Sequence, residues 1–259
     1  MITSVSNPKL KRLVQLQKKS KVRNMEKVFV AEGFKMYQEA PVELIERVFV
    51  SEHFYGENQK QLAAVANKVL EIVDDRIFKS VAETMAPQGI ITILKQKHYK
   101  LTQMLETPKP LLLLLENLQD PGNLGTIFRT AEGAGVTGIL MSKGTVDIYN
   151  PKTIRSTMGS VYRVPFLYTE DLADITRQVK EQAIKVYAAH LKGQQDYDEV
   201  SYQQGSAFLI GNEGNGLSDE ITAIADTYIK IPMKGQVESL NVGIAAGILM
   251  YEVARQRKK

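Results

Sequence analysis

Three stretches of this 259-residue sequence carry side chains whose type and spacing could do chemistry. The first is Glu116-Asn117-Leu118-Gln119-Asp120-Pro121-Gly122-Asn123-Leu124-Gly125-Thr126-Ile127-Phe128-Arg129-Thr130. An apolar run, Leu111–Glu116, ends here in a polar loop from which a helix starts, and in open α/β sheets ligands sit at the carboxyl ends of strands. Asn123 stands near the helix start, as a cap or as a site residue. Leu124, Ile127, Phe128 and Ala131 share one side of that helix. Arg129 projects about 140° from Leu124 at ~100° per residue, off the core face, as a plain surface arginine or as a cation held over a site. The second stretch, Gly211-Asn212-Glu213-Gly214-Asn215-Gly216, follows the strand-like Phe208-Leu209-Ile210. Its spacing, G-x-x-G-x-G, is neither the dinucleotide fingerprint nor a P-loop. Glu213 inside the loop would repel a pyrophosphate, so the loop suits a ligand without phosphate or serves as a structural turn. The third stretch, Ile231 to Gly247, places Ser239 as a natural N-cap before a helix that is apolar or small on every side to Met250, apart from Asn241. A helix with no polar face is expected to be buried all round. Asn241 would then need hydrogen-bond partners, as a capping residue or as part of a site.

The elements that must position these residues alternate. In the front half, residues 8–19 read as a basic helix with Leu10, Leu13, Val14 and Leu16 on its apolar side. Strands are expected at residues 29–31, 48–50, 69–73 and 90–94, and helices at residues 33–40, 58–67 and 76–83. Thr107-Pro108-Lys109-Pro110 disfavours both helix and sheet, so the organisation expected is a front domain over residues 1–100, a linker over 101–109 and a second domain over 110–259. The second domain begins with a strand apolar throughout, the kind found in sheets covered on both faces. Helices follow at residues 122–133, 151–158, 171–182, 218–225 and 240–255, and strands at 138–141, 164–167, 184–188, 207–210 and 228–231. The fold class expected is α/β with a mostly parallel sheet.

Composition narrows the chemistry. Cysteine is absent, which removes disulfides, thiolate catalysis and zinc–thiolate sites together. His53, His98 and His190 lie far apart without metal-ligand spacing, so no metal is expected. No apolar run approaches the length of a bilayer span and the opening residues have no signal-peptide core, so a cytoplasmic protein without membrane association is expected. Residues 1–108 hold 17 Lys/Arg against 12 Asp/Glu, a net +5, whereas residues 109–259 come to −1. Lys9, Lys11, Arg12, Lys18, Lys19, Lys21 and Arg23 make the densest basic run. It is either a solvated helix face or a surface for nucleic-acid phosphates.

Taken together, the three stretches resemble the SpoU (TrmH-like) branch of the SPOUT methyltransferases. The match lies in Asn123…Arg129, in Gly211-x-Glu213-x-x-Gly216, and in Ile231-Pro232…Glu238-Ser239-Leu240-Asn241-Val242, in that order over residues 110–256. Ser6-Asn7-Pro8 and Phe29-Val30-Ala31-Glu32-Gly33 resemble the L30e-like substrate-binding domain that precedes the catalytic domain in family members. Residues 155–160 depart from relatives, which usually carry smaller side chains there. The resemblance implies a SPOUT domain with a deep trefoil knot, a homodimer, and transfer of a methyl group from S-adenosylmethionine to an RNA ribose 2′-hydroxyl. It implies large-subunit (23S) rRNA as substrate in preference to tRNA. It gives Arg129, Asn123, Glu213, Ser239 and Asn241 the catalytic roles and puts the cofactor against Leu209, Gly211, Asn212, Gly216, Ile231, Met233 and Leu240. S-adenosylmethionine carries positive charge and no phosphate, properties that suit a loop with Glu213 built into it.

Two other classes compete. A non-catalytic RNA-binding factor of ribosome assembly would keep the fold without turnover, but every motif residue is present. A nicotinamide-dependent oxidoreductase would need the other glycine spacing and no carboxylate in the loop.

Overall fold

The structure, a computed structural model, describes residues 1–63, 65 and 69–258. The chain folds as two compact units, the first made of Met1–Lys97 with Asp147–Tyr162, the second of His98–Val146 with Arg163–Lys259.

The first unit is built on four strands: β1 (Val28–Glu32), β2 (Ile45–Ser51), β3 (Leu70–Val73) and β4 (Ile90–Lys95), in the order β1-β4-β2-β3. β4 runs antiparallel to both its neighbours and β3 runs parallel to β2. Alternation along β2 feeds two cores. Phe49 packs with Leu10, Leu13 and Leu16 on one face, and Val48 and Val50 pack with Tyr37, Phe54 and Leu62 on the other. The helix Pro8–Lys18 starts where the sequence dictates, with Pro8 in its first turn and the Asn7 side chain accepting from Lys9 N at 2.9 Å. Ser51 accepts from Phe54 N and starts the next long helix at Glu52–Leu62, six residues ahead of the expected 58–67, of which residues 64, 66 and 67 lie outside the described residues.

Residues 147–162 belong to this unit although the sequence places them in the second domain. Tyr149 and Tyr162 pack their rings on Phe29, at 4.7 and 6.3 Å between centroids, and Asp147 pairs with the buried Arg23 at 2.6 Å. Such long-range contacts leave no local signal. The division also falls after Lys97, and the stretch read as a linker holds the helix Leu101–Leu105, whose Met104 is buried in the second unit's core.

The second unit carries one sheet of seven strands: β5 (Leu111–Leu115), β6 (Gly138–Ser142), β7 (Phe166–Thr169), β8 (Lys185–Ala189), β9 (Gln195–Asp196), β10 (Ser206–Ile210) and β11 (Thr227–Lys230). The order is β7-β6-β5-β10-β8-β11-β9, with every neighbouring pair parallel. β5 and β10 are buried along their whole length, as strands covered on both faces must be. The chain leaves β5 outward through β6 to β7 and continues on the other side, so the order reverses between β5 and β10. At such a switch point the loops beyond the strand ends splay apart and leave room for a ligand.

The helices Pro121–Ala134 and Val242–Arg257 pack together, and a Cβ added at Gly243 would stand 3.3 Å from Thr126 Cγ2. The second of these corrects two expectations. Asn241, not Ser239, is the N-cap: its Oδ1 accepts from Gly243 N at 2.9 Å and Ile244 N at 3.3 Å. Nor is the helix buried all round, since Ile244 and Tyr251 are more than half exposed. Among the described residues no helix is long and apolar enough to cross a membrane.

Candidate functional site

The loop after β5 and the loop after β10 meet at the switch point. The second is a tight hairpin in which Asn212 and Gly216 exchange backbone hydrogen bonds of 3.0 and 2.9 Å. Gly211 is required there, because a Cβ would come within 2.1 Å of the Gly216 backbone. Asn212 ties the hairpin to the first loop by donating from Nδ2 to Asn117 O at 2.8 Å. Glu116, buried at the end of β5, accepts from both N and Oγ of Ser218 and fixes the hairpin's far end.

Glu213 sits at the tip. Its carboxylate accepts from Gln119 N at 3.2 Å, Asp120 N at 3.3 Å and Asn123 Nδ2 at 2.9 Å. Partial burial pushes this carboxyl up, but the hydrogen bonds from Asn123 and from the backbone of Glu213, Gln119 and Asp120 outweigh it and hold Glu213 below the ordinary glutamate value. The Asn123 amide then turns its oxygen to Asn241 Nδ2 at 2.9 Å. Asn241 spends its own oxygen on the helix cap. One side chain from each of the three chemistry-bearing stretches is therefore linked in a single hydrogen-bonded row, Glu213–Asn123–Asn241, with each amide orientation set by its neighbours. Asn241 is exposed rather than buried, so solvent or a ligand can reach the end of the row.

Ser239 is not part of this row. It lines a cavity of about 440 Å³ together with Ile231, Met233, Glu238, Leu240, Ala245 and Leu249. Of the residues assigned to a cofactor, Ile231, Met233 and Leu240 line this cavity, whereas Gly211, Asn212 and Gly216 shape the hairpin. Leu209 does neither: it is fully buried mid-strand, paired with Leu114 on one side and Ala188 on the other. Among the described residues, the backbone groups of 232–239 make no hydrogen bond with other backbone groups, so this stretch has donors and acceptors free for a ligand. Apolar walls, free peptide groups and one carboxylate, Glu238, fit a flat heterocycle joined to a cation. His190 and Leu191 also line the cavity and escaped the sequence reading. Their signal was their place just beyond the carboxyl end of β8.

Arg129 is exposed, and among the described residues no hydrogen bond or ion pair holds it. It does not line the cavity. The basic run of the first unit divides. Arg23 is only 3% exposed and donates to Leu16 O, Gln17 O and Asp147, so its charge is committed internally, contrary to expectation. Lys9 pairs with Glu71, and Arg12 with Glu26 and Glu46. Lys11, Lys18, Lys19 and Lys21 are exposed and form no ion pair among the described residues. No group of three or more His, Cys, Asp or Glu among the described residues could hold a metal ion.

Residues 110–251 match the family model described as SpoU rRNA Methylase family, and residues 7–92 match the MRM3-like substrate binding domain. The chain is 30% identical to the 23S rRNA (guanosine(2553)-2'-O)-methyltransferase RlmP of Bacillus subtilis (strain 168), over 97% of this chain and 98% of the relative. It is 32% identical to an uncharacterized tRNA/rRNA methyltransferase of Synechocystis sp., over 99% and 94% of the two chains. The AdoMet-bound rRNA methyltransferase from Sinorhizobium meliloti superposes with a TM-score of 0.87 at 30% identity, covering 100% of this chain and 98% of that one.

Proposed function

This chain belongs to the SpoU rRNA methylase family, and on that premise we propose that it methylates a ribose 2′-hydroxyl of large-subunit rRNA with S-adenosylmethionine as donor. The observation that carries the reading is the row Glu213–Asn123–Asn241, which joins the three motif stretches beside a cavity suited to the cofactor. Ile231, Met233 and Leu240 would hold the cofactor, with Glu238 facing its positive charge. The bound cofactor supplies a methyl group on a sulfonium, an electrophile that needs no metal.

The chain's own residues must do the rest. A ribose hydroxyl is a poor nucleophile at neutral pH and has to be oriented, relieved of its proton and stabilised as charge develops. An arginine stays protonated, so Arg129 serves as an electrostatic clamp on the RNA phosphate and the developing alkoxide rather than as a base, and the hydroxyl proton passes to solvent water as the new carbon–oxygen bond forms and the methyl–sulfur bond breaks. The Glu213–Asn123–Asn241 row fixes the polar groups that receive the ribose, and Ser239 offers a hydroxyl at the cavity wall. Lys11, Lys18, Lys19 and Lys21 supply sequence-independent affinity for RNA phosphates.

The reading includes a homodimer. The exposed Ile244 and Tyr251, apolar on a helix that carries the third motif, support it. It also includes a cytoplasmic location and a threaded carboxyl-terminal segment. Methyl transfer to ribosomal particles, to deproteinised large-subunit rRNA and to tRNA tests the substrate. Incorporation into rRNA is expected, and incorporation confined to tRNA would overturn the preference.

A further inference from the structure

A second cavity, of about 230 Å³, opens in the first unit between β1, the helix Phe34–Gln38 and residues 84–88, with Arg155 and Met158 on its remaining wall. It is smaller than the roughly 300–1,000 Å³ of sites for drug-sized ligands, a scale that suits one base. Its chemistry is uneven. Nη1 of Arg155 is buried and has no hydrogen-bond partner, an arrangement that native structures rarely leave without a ligand or a functional reason. Arg155 forms no ion pair among the described residues, although Glu83 lies within its electrostatic reach together with Arg23 and Lys18. Glu32 also lines the cavity, and its carboxylate accepts from Glu83 N and from Thr84 N and Oγ1, which fixes its orientation. Met36 and Met158 give soft apolar sides that adapt to a flat ring. Met158 caps the helix Pro151–Thr157 with a φ of 51°, a left-handed conformation that a non-glycine residue seldom holds and that recurs at ligand clamps.

Resting on the reading of this chain as an RNA methyltransferase, we propose that this cavity holds one unstacked base of the RNA substrate, with Arg155 donating to an acceptor on the base edge and Met36 and Met158 against its faces. Single-stranded RNA is read this way, because unpaired bases can be splayed into a pocket and hydrogen-bonded on their edges. A base in a duplex cannot reach the pocket without being extruded, which costs unpairing and unstacking. The site therefore makes the front unit a reader of unpaired nucleotides, beyond a basic platform for phosphates.

The unpartnered guanidinium predicts a combination that a structural arginine would not give. Arg155→Met removes an uncompensated buried donor, so the melting temperature stays the same or rises. The same change weakens binding of a single-stranded RNA. The probe is a fluorescein-labelled single-stranded RNA octamer of mixed sequence, with its duplex as reference, measured by anisotropy on the full chain. Wild type should prefer the single strand. Arg155→Met should lose about tenfold on it, the scale of one charge-assisted hydrogen bond, while duplex binding stays unchanged. Ala86→Trp plugs the cavity from its exposed rim without touching the core, and should lose the same preference even if the arginine variant fails to fold. If either folded variant binds the octamer as wild type does, the proposal is overturned. Calorimetric binding of S-adenosylmethionine, recorded alongside, separates the two readings: its absence in the wild type would indict the methyltransferase assignment, and unchanged octamer preference in variants that still bind it would indict the base pocket alone.

Discussion

Asn123→Asp is nearly isosteric, yet it should reverse the electrostatics of the site. In the native protein Asn123 Nδ2 donates to Glu213 at 2.9 Å. An aspartate oxygen in its place would set two carboxylates at that separation and remove the hydrogen bond that helps hold Glu213 ionised. Two unit charges 4 Å apart cost about 1 kcal/mol in water and about 4 kcal/mol at an effective dielectric of 20. The site is partly exposed, so the lower half of that range applies, and activity at pH 7 should fall roughly fivefold to sixtyfold. The pair would share a proton and titrate as a unit with one carboxyl raised. A group whose folded-state pKa is raised binds its proton more tightly in the folded state, so stability is kept at low pH and lost as pH rises through the raised value. The native Glu213 behaves oppositely: its contribution is present above the ordinary glutamate range and fades as pH falls through its lowered folded value. Melting temperature and methyl transfer should therefore show a deficit in Asn123→Asp that shrinks on acidification from pH 8 to pH 5. Asn123→Ala, which lacks the charge, should show a deficit independent of pH over that range. A pH-independent deficit in the aspartate variant, or none at all, would refute the coupling of Asn123 to Glu213.

Arg129→Ala should abolish methyl transfer and leave calorimetric S-adenosylmethionine affinity within a few-fold, because Arg129 does not line the cofactor cavity. Replacing Lys11, Lys18, Lys19 and Lys21 by alanine should flatten the dependence of RNA affinity on salt and raise the RNA KM with little change in kcat; filter binding across a salt series measures the slope. Ile244→Glu should convert a dimer into a monomer by light scattering at micromolar concentration, since it puts a charge on the exposed apolar side of the third-motif helix.

Most strands were legible because their apolar runs are short and bounded, as at Leu111–Leu115 and Ser206–Ile210, whereas β9, the polar pair Gln195–Asp196, has no such run and was missed. The site was legible as three stretches, but not as a row of hydrogen bonds. That Asn241 caps its helix and reaches Asn123 depends on where the helix begins, two residues beyond Leu240, a boundary that periodicity does not mark. The commitment of Arg23 to Asp147 and two carbonyls was invisible for a different reason. A basic run looks alike whether its members face water or fold inward, and for Arg23 an ion-pair partner more than a hundred residues away, Asp147, is part of what decides it. The same long-range packing of Tyr149 and Tyr162 on Phe29 carries residues 147–162 into the first unit.

Alkaline hydrolysis of the methylated product distinguishes transfer to a ribose oxygen from transfer to a base. Large-subunit rRNA lacking its native modifications is incubated with the protein and methyl-labelled S-adenosylmethionine, then digested to completion in alkali. A 2′-O-methyl group removes the hydroxyl that alkali needs to cleave the adjoining phosphodiester, so the label should appear in alkali-stable dinucleotides. Label recovered in mononucleotides would place the methyl group on a base and rule out ribose methylation.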